Sequence, residues 1–164
     1  MSEQRPDFTG AEPDRPLVDD LLDEGRPSED SSTERRLLPM DWKLELVSVP
    51  VSDVDRAKAF YTEQVGFHAD HDHQVSEELR FVQLTPPGSA CSIAIGSGME
   101  QGEPGSVRGL QIVVPDVAAA RAELVDRGVE VSDLQEFPWG IFAFFSDPDG
   151  NSWALQQIPA APGA

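Results

Sequence analysis

The sequence predicts an α+β fold built from two copies of one strand–helix–three-strand unit. Three observations predict it. The segment VSDVDRAKAFYTEQVGF at 51–67 is echoed by VPDVAAARAELVDRGV at 114–129. Each copy is preceded by an alternating β-rich run and followed by further β-rich runs. The last of these ends in Asp147-Pro148-Asp149-Gly150, where Pro presets φ, Asp bonds its own backbone and Gly accepts positive φ.

In the first copy, Lys43–Val51 alternates as a strand. Ser52 or Asp53 then offers an oxygen to a free helix amide. Val54, Ala57 and Tyr61 fall at helical spacing over Val54–Gln64, and Gly66 stops the helix. Phe67–His73, Leu79–Thr85 and Ala90–Ile95 read as three strands, the last two turned by Pro86-Pro87-Gly88. Gly96–Ser106 is Gly-rich and polar, a linker between halves.

The order then restarts. Arg108–Val114 is a strand, Asp116 a cap, Val117–Arg127 a helix and Gly128 its stop. Val129–Leu134 reads as a strand, and Ile141–Ser146 with Ser152–Ile158 as a hairpin. In that hairpin Trp153 and Leu155 share one face, and Ser152, Ala154 and Gln156 share the other. Trp42 and Trp153 read as core. A single unit would leave a sheet face uncovered; two units can close against each other.

Residues 1–39 are rich in Pro, Asp, Glu, Ser and Arg and carry no sustained apolar period, so they read as a largely disordered extension. Pro16–Glu24 could form a short apolar-sided helix within it. Met40 could serve as an alternative translation start. The folded domain is placed at 40–158, with modules at 42–96 and 107–158 and a short tail from 159.

The net charge is −18 and the pI near 4.2, with net −6 over 1–39 and −12 over the remainder. Such a surface repels phosphate backbones and argues against nucleic acid. It would favour a neutral or cationic guest. No apolar run suits a membrane span, and the N-terminus has no apolar signal core. One cysteine, Cys91, excludes an internal disulfide, so the cytoplasm is expected. Cys91 reads as a small apolar filler.

Two runs, VPVSDVDRAKAFY at 49–61 with Gly66-Phe67 and FSDPDGN at 145–151, resemble the vicinal oxygen chelate superfamily of glyoxalase I, bleomycin-resistance proteins and extradiol dioxygenases. The resemblance covers about residues 42–158. It implies two paired βαβββ modules forming an eight-stranded cupped sheet, often in a homodimer. It also implies metal ligands on the first and last strands of each module. Those positions fall on Leu46, Gly109, Ala154, and Ala94 or Ser92, none of which is a His, Gln or Glu. No metal and no cofactor are therefore expected there.

The densest titratable cluster is Phe67–His73. Strict alternation puts His71 and His73 on one face and His68, Asp70 and Asp72 on the other, and leaves open which set faces a pocket. Two His two apart could bind Zn or Ni, and Asp70, Asp72, His71 and His73 are the candidates for acid–base work. The plainer reading, which the sequence favours, is a solvent-facing edge strand whose charges block pairing. Arg80 could clamp a carboxylate. Ser48, Gln111 and Gln156 share faces with the vacant positions Leu46, Gly109 and Ala154, and Trp139 stands in a loop that would rim the pocket. The expectation is a metal-independent small-molecule-binding protein of bleomycin-resistance type. The alternative is an enzyme, a lyase, isomerase or dioxygenase-like protein, using pocket Asp and His groups or a metal held elsewhere.

Overall fold

The computed structural model describes residues 40–163. The chain divides into two units, Met1–Trp42 and Lys43–Ala164, and everything below concerns the second unless stated. The expected disordered extension and the Pro16–Glu24 helix lie outside the described residues. Trp42, expected as core, is 80% exposed.

The order is β1 (Leu46–Ser48), α1 (Val54–Ala59), β2 (His68–Gln74), β3 (Arg80–Thr85), β4 (Ser92–Ser97), β5 (Leu110–Val113), α2 (Val117–Asp126), β6 (Gln135–Phe137), β7 (Gly140–Ser146) and β8 (Ser152–Gln157). Both helix starts are capped alike. The Asp53 carboxylate accepts from the Arg56 amide, and Asp116 from the Ala119 amide, each at 3.0 Å. Both helices end before a glycine at positive φ, Gly66 at 94° and Gly128 at 86°. α1 continues as a π-helical stretch, Phe60–Val65, which turns Phe60 and Tyr61 into the core.

The eight strands form two four-stranded sheets, β1-β4-β3-β2 (sheet A) and β5-β8-β7-β6 (sheet B). In each, the first strand runs parallel to the last and the other neighbours are antiparallel. β1 and β5 are both edge strands.

Two expected strands are displaced. The first keeps only Leu46–Ser48 of Lys43–Val51, because its pairing with β4 runs out near Pro50. The Val129–Leu134 strand is reduced to a bridge between Val131 and Phe145, and β6 begins at Gln135. The Ser132 hydroxyl accepts from the Phe144 amide at 2.9 Å, taking a donor that a ladder would have used.

Each sheet has a helix side and an open side. Val82, Leu84, Ile93 and Ile95 of sheet A join Ala143, Phe145, Trp153 and Leu155 of sheet B in one core with Ala57, Tyr61, Phe67 and Leu124. Burying that surface contributes roughly 25 cal/mol per Å² of apolar area. The open sides therefore face away from the shared core.

Candidate functional site

Alternation along β8 and its register with β7 settle what lies on the open side of sheet B. Ala154 pairs with Phe144 and Gln156 with Phe142, so all four share that side. Gln111 pairs with Ala154 across β5. Phe137 pairs with Gly140, two residues from Phe142, so it points the same way. The result is a run of aromatic rings. Trp139 stacks on Phe137 with centroids 5.3 Å apart and planes at 13°. Phe137 meets Phe142 edge-on at 5.6 Å, and Phe142 stacks on Phe144 at 6.1 Å and 8°. Phe142 is buried, whereas Phe137, Trp139 and Phe144 are exposed.

A polar brace holds this run. The Gln111 amide donates to the Gln156 Oε1, and Gln156 Nε2 donates to the Trp139 carbonyl at 3.1 Å. At Gly140 an added Cβ would lie 2.7 Å from the Gln157 carbonyl oxygen, too close to the β8 backbone, and 3.1 Å from that same Gln156 Nε2. Alongside lies a cavity of about 510 Å³ lined by Phe144, Ser146, Ser152, Ala154, Gly109 and Glu130 among others. A second cavity, about 490 Å³, lies between the β1 and β5 edges and is walled by Leu44, Val47, Ile93, Leu110 and Ile112, with half-buried Cys91 at its side.

On sheet A the open side is polar. Gln83 Nε2 donates to the Ser92 hydroxyl at 3.1 Å, and Ser92 and Thr85 hydroxyls are 2.7 Å apart. Thr85 also donates to Asp70, whose other oxygen is 3.1 Å from His68 Nδ1. These bonds, Thr85 first and His68 second, hold the Asp70 carboxyl below the usual carboxylate range. Leu46 and Ser48 lie on this side too, paired with Ser92 and Ala94.

Strict alternation fails in β2. The register with β3 shifts between Ala69 and His71, a β-bulge at Asp70. His68 pairs with Thr85, His71 with Gln83 and His73 with Phe81, so all three histidines share the open side, and Asp70 joins them through Thr85. Asp72 alone turns to the helix side. There it takes Arg80 Nε at 2.9 Å, Arg80 Nη2 at 2.8 Å and Lys58 Nζ at 2.8 Å. Hydrogen bonds from Arg80, then Lys58, hold its carboxyl far below the usual range. Arg80 also reaches Asp55 at 2.7 Å, and so points away from the open side.

The family's metal positions do not fit a metal. Leu46, Ser92, Ala94, Gly109 and Ala154 stand on or beside the open faces and bring two methyl groups, one isobutyl, one hydroxyl and no imidazole or carboxylate. The strand partners of Ala94 and Ala154, Ser48 and Gln111, are neutral. Among the described residues no three His, Cys, Asp or Glu side chains group so as to hold an ion. Also among these residues, no helix is long and apolar enough to cross a membrane.

The structure thus brings together Gln111, Trp139, Ala154 and Gln156 on sheet B, and on the open side of sheet A it places Leu46 and Ser48 at one edge and Asp70, His71 and His73 at the other. It separates Arg80 and Asp72 from them. Phe137, Phe142 and Phe144 were missed by sequence reasoning. Their signal was present, since Phe142 and Phe144 are two apart on a strand whose other face carries Ala143 and Phe145.

Comparison with known proteins agrees with this fold. Residues 43–155 match the family model of the Glyoxalase/Bleomycin resistance protein/Dioxygenase superfamily. An antibiotic-binding protein, TnmS3 from Streptomyces sp. CB03234, is 42% identical with a TM-score of 0.67, covering 74% of this chain and 100% of its own. A glyoxalase/bleomycin resistance protein from the same strain is 43% identical with a TM-score of 0.63, covering 70% and 100%. The uncharacterized protein YetH of Bacillus subtilis is 29% identical over 113 residues, 68% of this chain and 94% of that one. The chain belongs to the Glyoxalase/Bleomycin resistance protein/Dioxygenase superfamily.

Proposed function

We propose that the protein binds and sequesters a small organic guest, of antibiotic type, on the open face of sheet B, without a metal at the family's usual positions. The observation that carries this reading is the aromatic run Trp139–Phe137–Phe142–Phe144 beside the 510 Å³ cavity. Exposed aromatic faces offer stacking area at low conformational cost, and Gln111 and Gln156 add neutral hydrogen-bonding groups. Glu130 at the cavity and the net charge of −18 favour a neutral or cationic guest. Similarity to the antibiotic-binding TnmS3 supports the same reading.

Acid–base catalysis finds less support. A general acid at neutral pH needs a raised carboxyl pKa, whereas Asp70 and Asp72 are both lowered by their donors. Each is held as a stable anion.

The proposal includes a homodimer. Val113, Phe137, Trp139 and Phe144 lie exposed on the open side of sheet B, a surface that water solvates poorly. A second copy laid across it would convert an open face into a cleft that excludes water. The single cysteine suits a reducing compartment, and the proposal places the protein in the cytoplasm.

The test is a titration of chelator-treated full-length protein with a panel of aromatic antibiotics, including bleomycin, read by tryptophan fluorescence. At least one member should bind, and W139A and F144A should each weaken it about tenfold, the size of one lost aromatic contact. If no member binds, or if both variants bind as well as the parent, the reading fails.

A further inference from the structure

We propose that His71 and His73 form a two-imidazole site for a divalent transition-metal ion, typified by Zn²⁺, on the open side of β2. The site lies at the opposite edge of sheet A from β1, so it is separate from the family's metal positions. It is also not needed for the guest binding proposed above.

Three features of the chain support it. Both residues are on the same side of one strand, two apart, with no side chain between them. Their rings already face each other, with centroids 5.5 Å apart and planes at 22°. Neither ring is hydrogen-bonded among the described residues, so no protein group competes for their nitrogens, and both are exposed and able to turn. Tetrahedral zinc with Zn–N bonds of about 2.0–2.1 Å needs its two donor nitrogens roughly 3.3 Å apart, within reach of rings at this spacing.

The surroundings favour a cation. The bulge at Asp70 brings a carboxylate to the same side of the strand, next to His71 in sequence and held there by the Thr85 hydroxyl. The titratable groups beside the pair on its own strand are His68 and Asp70 on the same side and Asp72 on the other. On β3, the strand packed against it, the facing residues are Phe81, Gln83 and Thr85, none of them cationic. Lys58 and Arg80 are on the other side of the sheet and bound to Asp72. β2 is an edge strand, which leaves the ion an open approach.

Imidazole donors select Zn²⁺, Ni²⁺ or Cu²⁺ over Mg²⁺ and Ca²⁺. Two protein ligands leave two positions of a tetrahedral ion for water or for a donor atom on a bound molecule. Such half-filled sites bind far more weakly than four-ligand structural zinc.

The experiment is calorimetric titration of chelator-treated full-length protein with Zn²⁺ alone, paired with NMR of the histidine rings. The chain has three histidines, so each ring signal can be assigned by substitution. One equivalent of Zn²⁺ should shift the His71 and His73 signals together and move His68 much less. H71A and H73A should each weaken binding at least tenfold, and a tenfold excess of Mg²⁺ should not compete. Zn²⁺ binding that survives in the H71A/H73A double variant, or ring signals that do not move, would overturn the site. Because Zn²⁺ is the only probe, a failure of antibiotic binding leaves this result unaffected, and the converse also holds.

Discussion

The Tyr61 hydroxyl donates to Asp147 Oδ2 at 2.8 Å across 86 residues of chain, joining the helix of the first module to the closing turn of the second. The same oxygen of Tyr61 accepts from Trp153 Nε1 at 3.1 Å. Asp147 is 5% exposed, and its other donors are Asn151 Nδ2 at 2.7 Å and the amides of Asp149 and Asn151. Asn151 in turn donates to the Pro50 carbonyl at 2.8 Å. A buried carboxylate this fully bonded is stable only while every donor stays in place.

Y61F removes one donor from Asp147 and the acceptor of Trp153 Nε1 while keeping the ring. The expected cost is about 1–3 kcal/mol at neutral pH, measured by urea unfolding. Burial first, and the Asp147 charge second, push the Tyr61 hydroxyl well above its ordinary pKa of 10.0. A raised folded pKa gives stability that is complete below about pH 10 and lost as pH rises above it. The parent should therefore lose stability above pH 10 more steeply than Y61F. Parallel curves would show that the hydroxyl is not buried as described.

Asp72 is shifted the other way. Its depressed folded pKa contributes stability above the unfolded value of about 3.9, and that contribution is lost as pH falls below it. D72N should be less stable than the parent at pH 7 by about 1 kcal/mol and should show a flatter decline between pH 4 and pH 2. The comparison between the two proteins matters, because acidification also relieves the self-repulsion of a chain at −18. Equal acid slopes would mean that the Arg80–Asp72–Lys58 cluster does not persist in solution.

G140A places a methyl carbon against the Gln157 carbonyl and the Gln156 amide. Overpacking of this kind costs about 1–3 kcal/mol. The Trp139 loop should shift with it, because Gln156 can no longer reach the Trp139 carbonyl. A lowered melting temperature together with an altered Trp139 emission is expected. An unchanged melting temperature would place the chain at Gly140 elsewhere.

The proposed dimer predicts a sedimentation coefficient of two copies at micromolar concentration. F144E, which sets a charge on the exposed aromatic face, should shift it to one copy without unfolding the chain. A parent that sediments as one copy would remove the dimer and leave the guest site open to solvent.

Much of this protein is determined locally and could be read without coordinates. Asp53 and Asp116 before apolar helical periods, and Gly66 and Gly128 after them, fix two helices because caps and left-handed stops act over a few residues. The residue types at the positions the resemblance implies, Leu46, Gly109 and Ala154, were equally legible, since the lack of a donor atom is a property of each side chain by itself. Other features were decided only by the tertiary structure. Alternation assigned His68 and Asp70 to the face opposite His71, and one bulge reversed that, because a register shift against β3 leaves no local mark in the sequence. Arg80 read as a candidate ligand clamp until Asp55 and Asp72 were found beside it, from positions 25 and 8 residues away. The aromatic run likewise needed β6 and β7 to be paired before Phe137, Trp139, Phe142 and Phe144 could be seen as one surface. Periodicity sets which way each side chain points along its own strand; which side chains meet is set by pairing between strands.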